Sequence, residues 1–81
     1  MTVVVSLFGP LASAVGTNQC TVRLGKDRTP EAVLGALAAE FPQAAPLLTG
    51  SRLAVNHRFA TPGTPVLPSD HLAVIGLVSG G

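Results

Sequence analysis

Three segments of the chain follow the period of two that is typical of β-strands, in which successive side chains face opposite sides of a sheet. These segments are residues 2–8, 19–24 and 72–77. The first is apolar on both faces, which predicts a strand inside the sheet. The second has a single apolar face, which carries Cys20 and predicts a half-buried strand.

A main helix is predicted after the second strand. Thr29 supplies an N-cap hydroxyl, Pro30 suits the first helical position, and Glu31 lies at the positive end of the helix dipole. Pro42 sets the end of the helix near its preceding residue. Between these limits, apolar residues recur at spacings of three and four and form one stripe that can pack on a sheet. The stripe consists of Val33, Leu34, Leu37, Ala38 and Phe41.

Shorter elements fill the rest of the chain. Residues 11–15 predict one or two helical turns, and residues 46–48 predict an irregular segment at the end of the core. Two short strands, 52–56 and 58–60, are expected to meet in a tight turn, because Asn tolerates positive φ. Asp70 is expected to cap the turn before the last strand by accepting hydrogen bonds from backbone amides.

This order of elements predicts an α+β fold in which one main helix crosses a mixed sheet, the β-grasp arrangement also seen in ubiquitin-like proteins. A chain of 81 residues supports one hydrophobic core and no more. We therefore expect a single domain over residues 1–77 and a flexible C-terminal tail over residues 78–81.

The composition predicts a binding surface for another protein. Hydrophobic residues make up 47% of the chain and charged residues only 11%, against about 25% charged in soluble domains. One helix covers only one face of a sheet, so apolar residues of the last strand that face away from it should be exposed. These candidate partner-binding residues are Ala73, Ile75 and Leu77. The alternative is that loops 43–50 and 61–65 cover Ile75 and Leu77.

Several functions are not supported by the composition. The formal charge is +1, the basic residues are scattered, and Trp and Tyr are absent, so nucleic-acid binding is not expected. No apolar run approaches the roughly 20 residues of a membrane span, and no signal peptide is recognisable, so a soluble, cytoplasmic protein is expected. Cys20 has no disulfide partner and is expected to be an inert core thiol, with a persulfide-carrying role as the lesser alternative.

No metal or cofactor site is predicted. His57 and His71 belong to different predicted turns, without a Cys pair or a carboxylate at ligand spacing, so both are expected to be solvated turn residues. The glycine-rich loops that bind nucleotide phosphates are also missing from the sequence.

The C-terminal tail is the candidate chemical site. It reads Val78, Ser79, Gly80 and Gly81, directly after the last predicted strand. Because Gly has no Cβ, a terminal Gly-Gly pair forms a thin thread whose carboxylate can reach into a narrow tunnel. A carboxylate reacts with nucleophiles only after activation, for instance as an acyl-adenylate, so the tail is expected to be a substrate for other enzymes.

Four stretches of the chain give it a resemblance to a known family. They are VVVSLFGPLASAVG, TPEAVLGALAAEFP, LAVNHRF and, most specifically, DHLAVIGLVSGG. Together they resemble the MoaD/ThiS family of small sulfur carriers, most closely its molybdopterin synthase branch. The chain departs from the family pattern at Ser69, which precedes Asp70 in place of Gly, and at Gly76 and Leu77, which replace a pair of prolines.

The resemblance implies a non-catalytic carrier that binds no cofactor of its own. An E1-like adenylyltransferase would use ATP to adenylate Gly81, and a sulfurtransferase would convert it to a thiocarboxylate. The tail would then donate sulfur in molybdenum cofactor biosynthesis, inside a heterotetramer with the large subunit of molybdopterin synthase. Residues 78–81 span about 13 Å when extended, which is long enough to reach a buried site.

Three alternatives remain open at the level of sequence. The chain could carry sulfur for another pathway, such as thiamine, cysteine or tRNA thiolation. It could be a ubiquitin-like modifier whose Gly81 is joined to lysines of target proteins. It could also be a β-grasp binding module with an idle tail.

Overall fold

The computed structural model describes residues 1–61 and 63–76. Within these residues, three α-helices and one 3₁₀ turn lie among five strands. The elements are β1 (Thr2–Ser6), α1 (Gly9–Val15), β2 (Gln19–Arg23), α2 (Pro30–Glu40), the 3₁₀ turn (Pro42–Ala44), α3 (Ala45–Leu48), β3 (Ser51–Val55), β4 (Arg58–Phe59) and β5 (Leu72–Gly76).

The strands form one mixed sheet in the order β2-β1-β5-β3-β4. β1 and β5 are parallel, whereas the other neighbouring pairs are antiparallel. This arrangement confirms the predicted β-grasp fold. It also confirms that the first strand lies inside the sheet, between β2 and β5.

Strand register places one set of apolar side chains beneath the helices. Val3 pairs with Val22, and Leu53 pairs with Val74, so these four side chains share one face of the sheet. The buried hydrophobic core is completed from the helices and loops. Its members are Val3, Val5, Leu7, Leu11, Val22, Leu24, Val33, Leu37, Ala44, Leu48, Leu53, Val66, Leu72 and Val74.

Helix α2 begins and ends where the sequence predicts. The Thr29 hydroxyl accepts a hydrogen bond from the Ala32 N–H at 3.2 Å, and Asp27 accepts one from the Thr29 hydroxyl at 2.7 Å. The N-cap is therefore itself held in place, which fixes the direction in which the helix leaves the loop. Val33 and Leu37 are fully buried on the sheet side.

Helix α1 confirms the predicted helical turns after the first strand. It ends at Gly16, which adopts φ 93° and donates its N–H to the Ala12 carbonyl at 2.8 Å. This left-handed conformation is accessible to Gly at little cost and stops the helix abruptly. The stop returns the chain to β2, at the edge of the sheet.

The segment at residues 46–48 is more regular than the sequence predicts. It belongs to α3, which follows the 3₁₀ turn directly and packs against α1 and α2. Leu48 enters the core, whereas Leu47 remains 40% exposed. The prediction of an irregular segment was wrong, because Pro46 stands in the first turn of α3, where Pro is tolerated.

None of the helices in the described ranges is long and apolar enough to cross a membrane.

Candidate functional site

The open face of the sheet, opposite the helices, carries a mostly apolar row of side chains across four strands. Ala73 pairs with Ser6 on one side and with Ala54 on the other, and Ala54 pairs with Phe59. Ile75 lies on the same face, two residues along β5, where it pairs with Arg52. Ala73 and Ile75 thus point away from the core, as the alternation in the sequence predicts.

These residues surround a shallow depression of about 380 Å³, which we call the docking face. Two aromatic side chains frame it: Phe8 is 57% exposed and Phe59 is 49% exposed. Exposed aromatic rings around a concave apolar surface are typical of protein-binding sites. The docking face comprises Phe8, Ala54, His57, Phe59, His71, Ala73 and Ile75.

The hairpin turn between β3 and β4 is tied to the start of β5. Asn56 and His57 both have positive φ, at 53° and 70°, which gives the tight turn that the sequence predicts. The Asn56 side chain donates to Asp70 at 3.0 Å and accepts from the His71 N–H at 2.9 Å. Asp70 also accepts from the Leu67 N–H at 2.7 Å, which confirms its predicted capping role.

This network brings two histidines together that the sequence had placed on separate turns. The rings of His57 and His71 stack with their centroids 5.4 Å apart and their planes 21° from parallel. Both side chains are exposed and line one end of the docking face. No cluster of three or more His, Cys, Asp or Glu side chains that could hold a metal ion occurs within residues 1–61 and 63–76.

A positive charge lies at the rim of the docking face. The Arg52 guanidinium stands over the Phe59 ring, 4.4 Å from the ring centroid, in a cation–π arrangement. The contact fixes the Phe59 ring beside Ala54 while the guanidinium remains exposed. A partner would therefore meet an apolar centre with a basic edge.

A second depression, of about 270 Å³, lies beside Gly76, the last described residue of β5. Its walls come from α1, α3 and the segment after α3. Phe8 lines both depressions and therefore joins the docking face to the surface beside Gly76. The second depression is lined by Phe8, Pro10, Leu11, Pro46, Leu47, Gly50, Ser51 and Gly76.

Phe8 and Phe59 were missed as site residues in the sequence. Phe8 follows β1, and it approaches Ile75 because β1 and β5 are parallel neighbours, which the local pattern does not reveal. Phe59 occupies a two-residue strand that is too short to show alternation. Both are large apolar residues beside turns, where burial is least expected, and this position could have marked them as exposed site residues.

The loops proposed to cover Ile75 lie elsewhere. The 3₁₀ turn and α3 pack against α1 and α2. In the second loop, the Gly63 N–H contacts the Glu31 carboxylate of α2 at 3.4 Å, and the Val66 N–H contacts the Arg28 carbonyl at 2.6 Å. In the described part of the chain, the covering alternative is therefore wrong for Ile75.

The tail, Val78 to Gly81, and the candidate partner-binding residue Leu77 lie outside the described ranges. Their predicted roles, and the division into a domain over residues 1–77 and a tail over residues 78–81, stay predictions.

Cys20 is less buried than the sequence suggests. It sits on the core side of β2, opposite Val5, but β2 is an edge strand and leaves the thiol only partly covered. Burial raises the pKa of the Cys20 thiol, and the nearby negative charge of Glu40 raises it further. A raised pKa keeps the thiol protonated and unreactive, in agreement with an inert residue.

Solved structures share this architecture. SAMP1 from Haloferax volcanii is 25% identical over the full length of both chains, with a TM-score of 0.82. A putative molybdopterin converting factor subunit 1 from Pyrococcus furiosus is 14% identical over 96% of this chain and 99% of its own, with a TM-score of 0.73. Subunits 1 and 2 of the molybdopterin-converting factor from Helicobacter pylori form a complex that contains a chain 21% identical over the full length of both chains, with a TM-score of 0.68. These likenesses place the molecule among ubiquitin-like β-grasp proteins.

The sequence model of the ThiS family matches residues 5–81, including the terminal Gly-Gly. The chain belongs to the ThiS family. It is a sulfur carrier of the ThiS/MoaD type with a ubiquitin fold, a kind of small protein that is itself non-catalytic and works in complexes. Comparison with curated protein sequences gives no significant match.

Proposed function

We propose that this chain carries sulfur as a thiocarboxylate on Gly81 and delivers it during molybdopterin synthesis. The observation that supports this most is the continuity between the docking face and the tail. Ala73 and Ile75 of the face lie on β5, the strand whose sequence continues into Leu77 and ends at Gly81. A partner that covers the face would therefore hold the body of the carrier close to its own active site.

The chemistry of the carrier requires two steps on Gly81. An E1-like enzyme would transfer AMP from ATP to the carboxylate and release pyrophosphate. A sulfurtransferase would then supply sulfur at the sulfide level, which forms a C–S bond at the acyl carbon while the C–O bond to AMP breaks, and the thiocarboxylate and AMP are the products. The carrier contributes the carboxylate and the docking face, and the partner enzymes contribute the catalytic groups.

Delivery depends on reach and on positioning. Counted from Gly76, the five residues 77–81 span at most about 18 Å when extended. Such a length lets the tail reach a buried electrophile while the domain remains docked outside. Holding the sulfur beside that electrophile makes the reaction effectively intramolecular.

The large subunit of molybdopterin synthase is the proposed acceptor. The Helicobacter pylori neighbour is described in a complex of subunits 1 and 2 of molybdopterin-converting factor, and a heterotetramer of this kind is the assembly we propose. Carriers for thiamine, cysteine or tRNA thiolation would use the same tail, so the partner that binds the docking face decides the pathway.

A pull-down from native cells tests the proposal. Wild-type chain is expected to capture a molybdopterin synthase large subunit and an adenylating enzyme, and Ile75→Asp is expected to lose both. Thr21→Asp is the matched control, because Thr21 is exposed on the same open face but two strands away, on β2. Capture of thiamine or tRNA-thiolation enzymes in place of a synthase subunit would contradict the molybdopterin assignment.

A second candidate function is that of a ubiquitin-like modifier. SAMP1, whose structures are described under the name small archaeal modifier protein 1, is more similar to this chain in sequence than the two molybdopterin converting factor chains are. In this role, the activated Gly81 would be joined to lysines of other proteins. An immunoblot of native cells is expected to show high-mass conjugates that disappear when Gly81 is deleted.

A further inference from the structure

This chain contains few primary amines. Lys26 is the single lysine among the 81 residues, and the α-amino group of Met1 is a second primary amine. Here the location of two amines decides whether self-attachment is possible.

The two amines differ in availability. The α-amino group of Met1 donates a hydrogen bond to the Leu24 carbonyl at 3.0 Å and is partly buried. Lys26 is exposed in the loop between β2 and α2. That loop is anchored on both sides, because the Leu24 N–H donates to the Met1 carbonyl at 2.7 Å and the Arg28 carbonyl accepts from the Val66 N–H. Lys26 is therefore presented to solvent from a fixed position.

Lys26 and the start of the tail lie at opposite ends of the sheet. Leu24 is beside Met1, at the start of β1, whereas Gly76 lies beyond the other end of β1, near Phe8. Seven residues of strand separate these ends, about 23 Å at about 3.3 Å per residue. Two strand spacings of about 4.8 Å each also lie between β2 and β5.

The tail is shorter than this separation. Leu77 and the four tail residues together reach at most about 18 Å from Gly76. To approach Lys26 of its own copy, it would have to run back fully extended along the docking face that the activating enzyme is proposed to cover. The geometry therefore favours attack by Lys26 of a second copy.

We propose that Lys26 is the acceptor through which Gly81 of one copy is joined to the next. The proposal rests on the second candidate function, that of a ubiquitin-like modifier. Each copy then has one donor carboxylate and one available acceptor amine, located at opposite ends of the sheet. Joining through Lys26 adds one copy at each step, so the expected products are linear chains.

The joining step uses the adenylate that the activating enzyme makes from ATP. The neutral Nζ of Lys26 attacks the Gly81 acyl carbon of the other copy and forms a C–N bond. The C–O bond to AMP breaks, AMP leaves with the electron pair, and the nitrogen loses one proton. No oxidant or reductant is required.

The test is expression of the full chain in native cells with a lysine-free epitope tag, followed by immunoblotting and mass spectrometry. Wild type, Lys26→Arg and a Gly81 deletion are compared. Lys26→Arg preserves the charge of an exposed side chain, and unchanged circular dichroism will verify that it folds. Trypsin would leave all of residues 59–81 attached to Lys26, because this segment lacks Lys and Arg. Cleavage after Asp70 is the better digest, since it leaves only residues 71–81 on Lys26.

Four outcomes are informative. Multimers with a branched peptide at Lys26, lost in Lys26→Arg while conjugates to other proteins persist, support the proposal. Multimers that persist in Lys26→Arg overturn it. Conjugates to other proteins without any wild-type multimers also overturn it, but leave the modifier function standing. Absence of all Gly81-dependent conjugates overturns both, and detection of the Gly81 thiocarboxylate then still reports separately on sulfur transfer.

Discussion

Two adjacent residues of β5 have opposite roles because successive side chains of a strand point to opposite faces of the sheet. Val74 is 1% exposed and belongs to the core, whereas Ile75 is half-buried on the docking face. The same substitution at these neighbours therefore separates folding from binding.

Val74→Asp is expected to unfold the domain, at a cost of about 4 kcal/mol or more, because it places a carboxylate without a partner in the core. Ile75→Asp is expected to cost at most about 1 kcal/mol in the free domain but to abolish partner binding. Thermal melting by circular dichroism and a pull-down measure the two effects. The opposite result, with Ile75→Asp unfolded and Val74→Asp folded, would place the core on the other face of β5.

Cys20 allows a test of local burial. Because burial, and secondarily Glu40, raise the pKa of its thiol, alkylation by iodoacetamide is expected to increase only at a higher pH in the native protein than in the unfolded chain. Glu40→Gln is expected to lower the pH at which alkylation of the native thiol is half-maximal. That pH should still be higher than in the unfolded chain. Rapid alkylation at neutral pH would contradict this assignment.

The raised thiol pKa also has a consequence for stability. The folded state holds its proton more tightly than the unfolded state, so the contribution of Cys20 is complete below the unfolded pKa. As the pH rises from the unfolded pKa to the native pKa, this contribution is progressively lost. Above the native pKa the thiol is ionised in both states and the loss is complete. Cys20→Ser is expected to remove this part of the alkaline decline in melting temperature.

At the scale of elements, the turn between β3 and β4 contains a residue that is poorly suited to its backbone. His57 has φ 70°, in the left-handed region that costs a residue with a Cβ about 1–2 kcal/mol. Gly is the residue preferred after Asn in such a hairpin turn. His57 also stacks on His71 and lines the docking face.

His57→Gly is expected to raise stability by about 0.5 kcal/mol, because relief of the backbone cost exceeds the added entropy of the unfolded chain. The corresponding increase in melting temperature is about 2–4 °C for a domain of this size. His71→Ala is the matched control, since it removes the same ring stacking without changing the turn, and should give no increase. A lower melting temperature for His57→Gly would mean that stacking outweighs the backbone cost.

The elements also differ in how well the sequence predicts them. Helix α2 carries its own signals, from the Thr29 cap to Pro42, because capping and periodicity are local properties. The short helix α3 and the two-residue strand β4 lack enough residues to show a period. Their form depends on packing against neighbours that are distant in sequence.

At the scale of the whole molecule, the position of the terminal carboxylate is expected to decide function. Deletion of Gly81, or addition of one Ala after it, is predicted to abolish thiocarboxylate formation, because the activating enzyme must receive a Gly carboxylate at a fixed distance from the docking face. Core residues in the described ranges extend no further than Val74, so the melting temperature should remain near that of the wild type. Intact-mass spectrometry and melting curves provide the two measurements, and full thiocarboxylation of the extended variant would contradict a carrier role for Gly81.

The sequence by itself determined the β-grasp class, the bounds of α2, the orientation of Ala73 and Ile75, and the candidate carboxylate at Gly81. All of these follow from local periodicity, capping or side-chain chemistry. Only the tertiary structure decided the extent of the docking face, because Phe8 reaches it through the parallel pairing of β1 with β5. Likewise, the proximity of His57 to His71 and the separation of Lys26 from Gly76 are distances through space that no local pattern encodes.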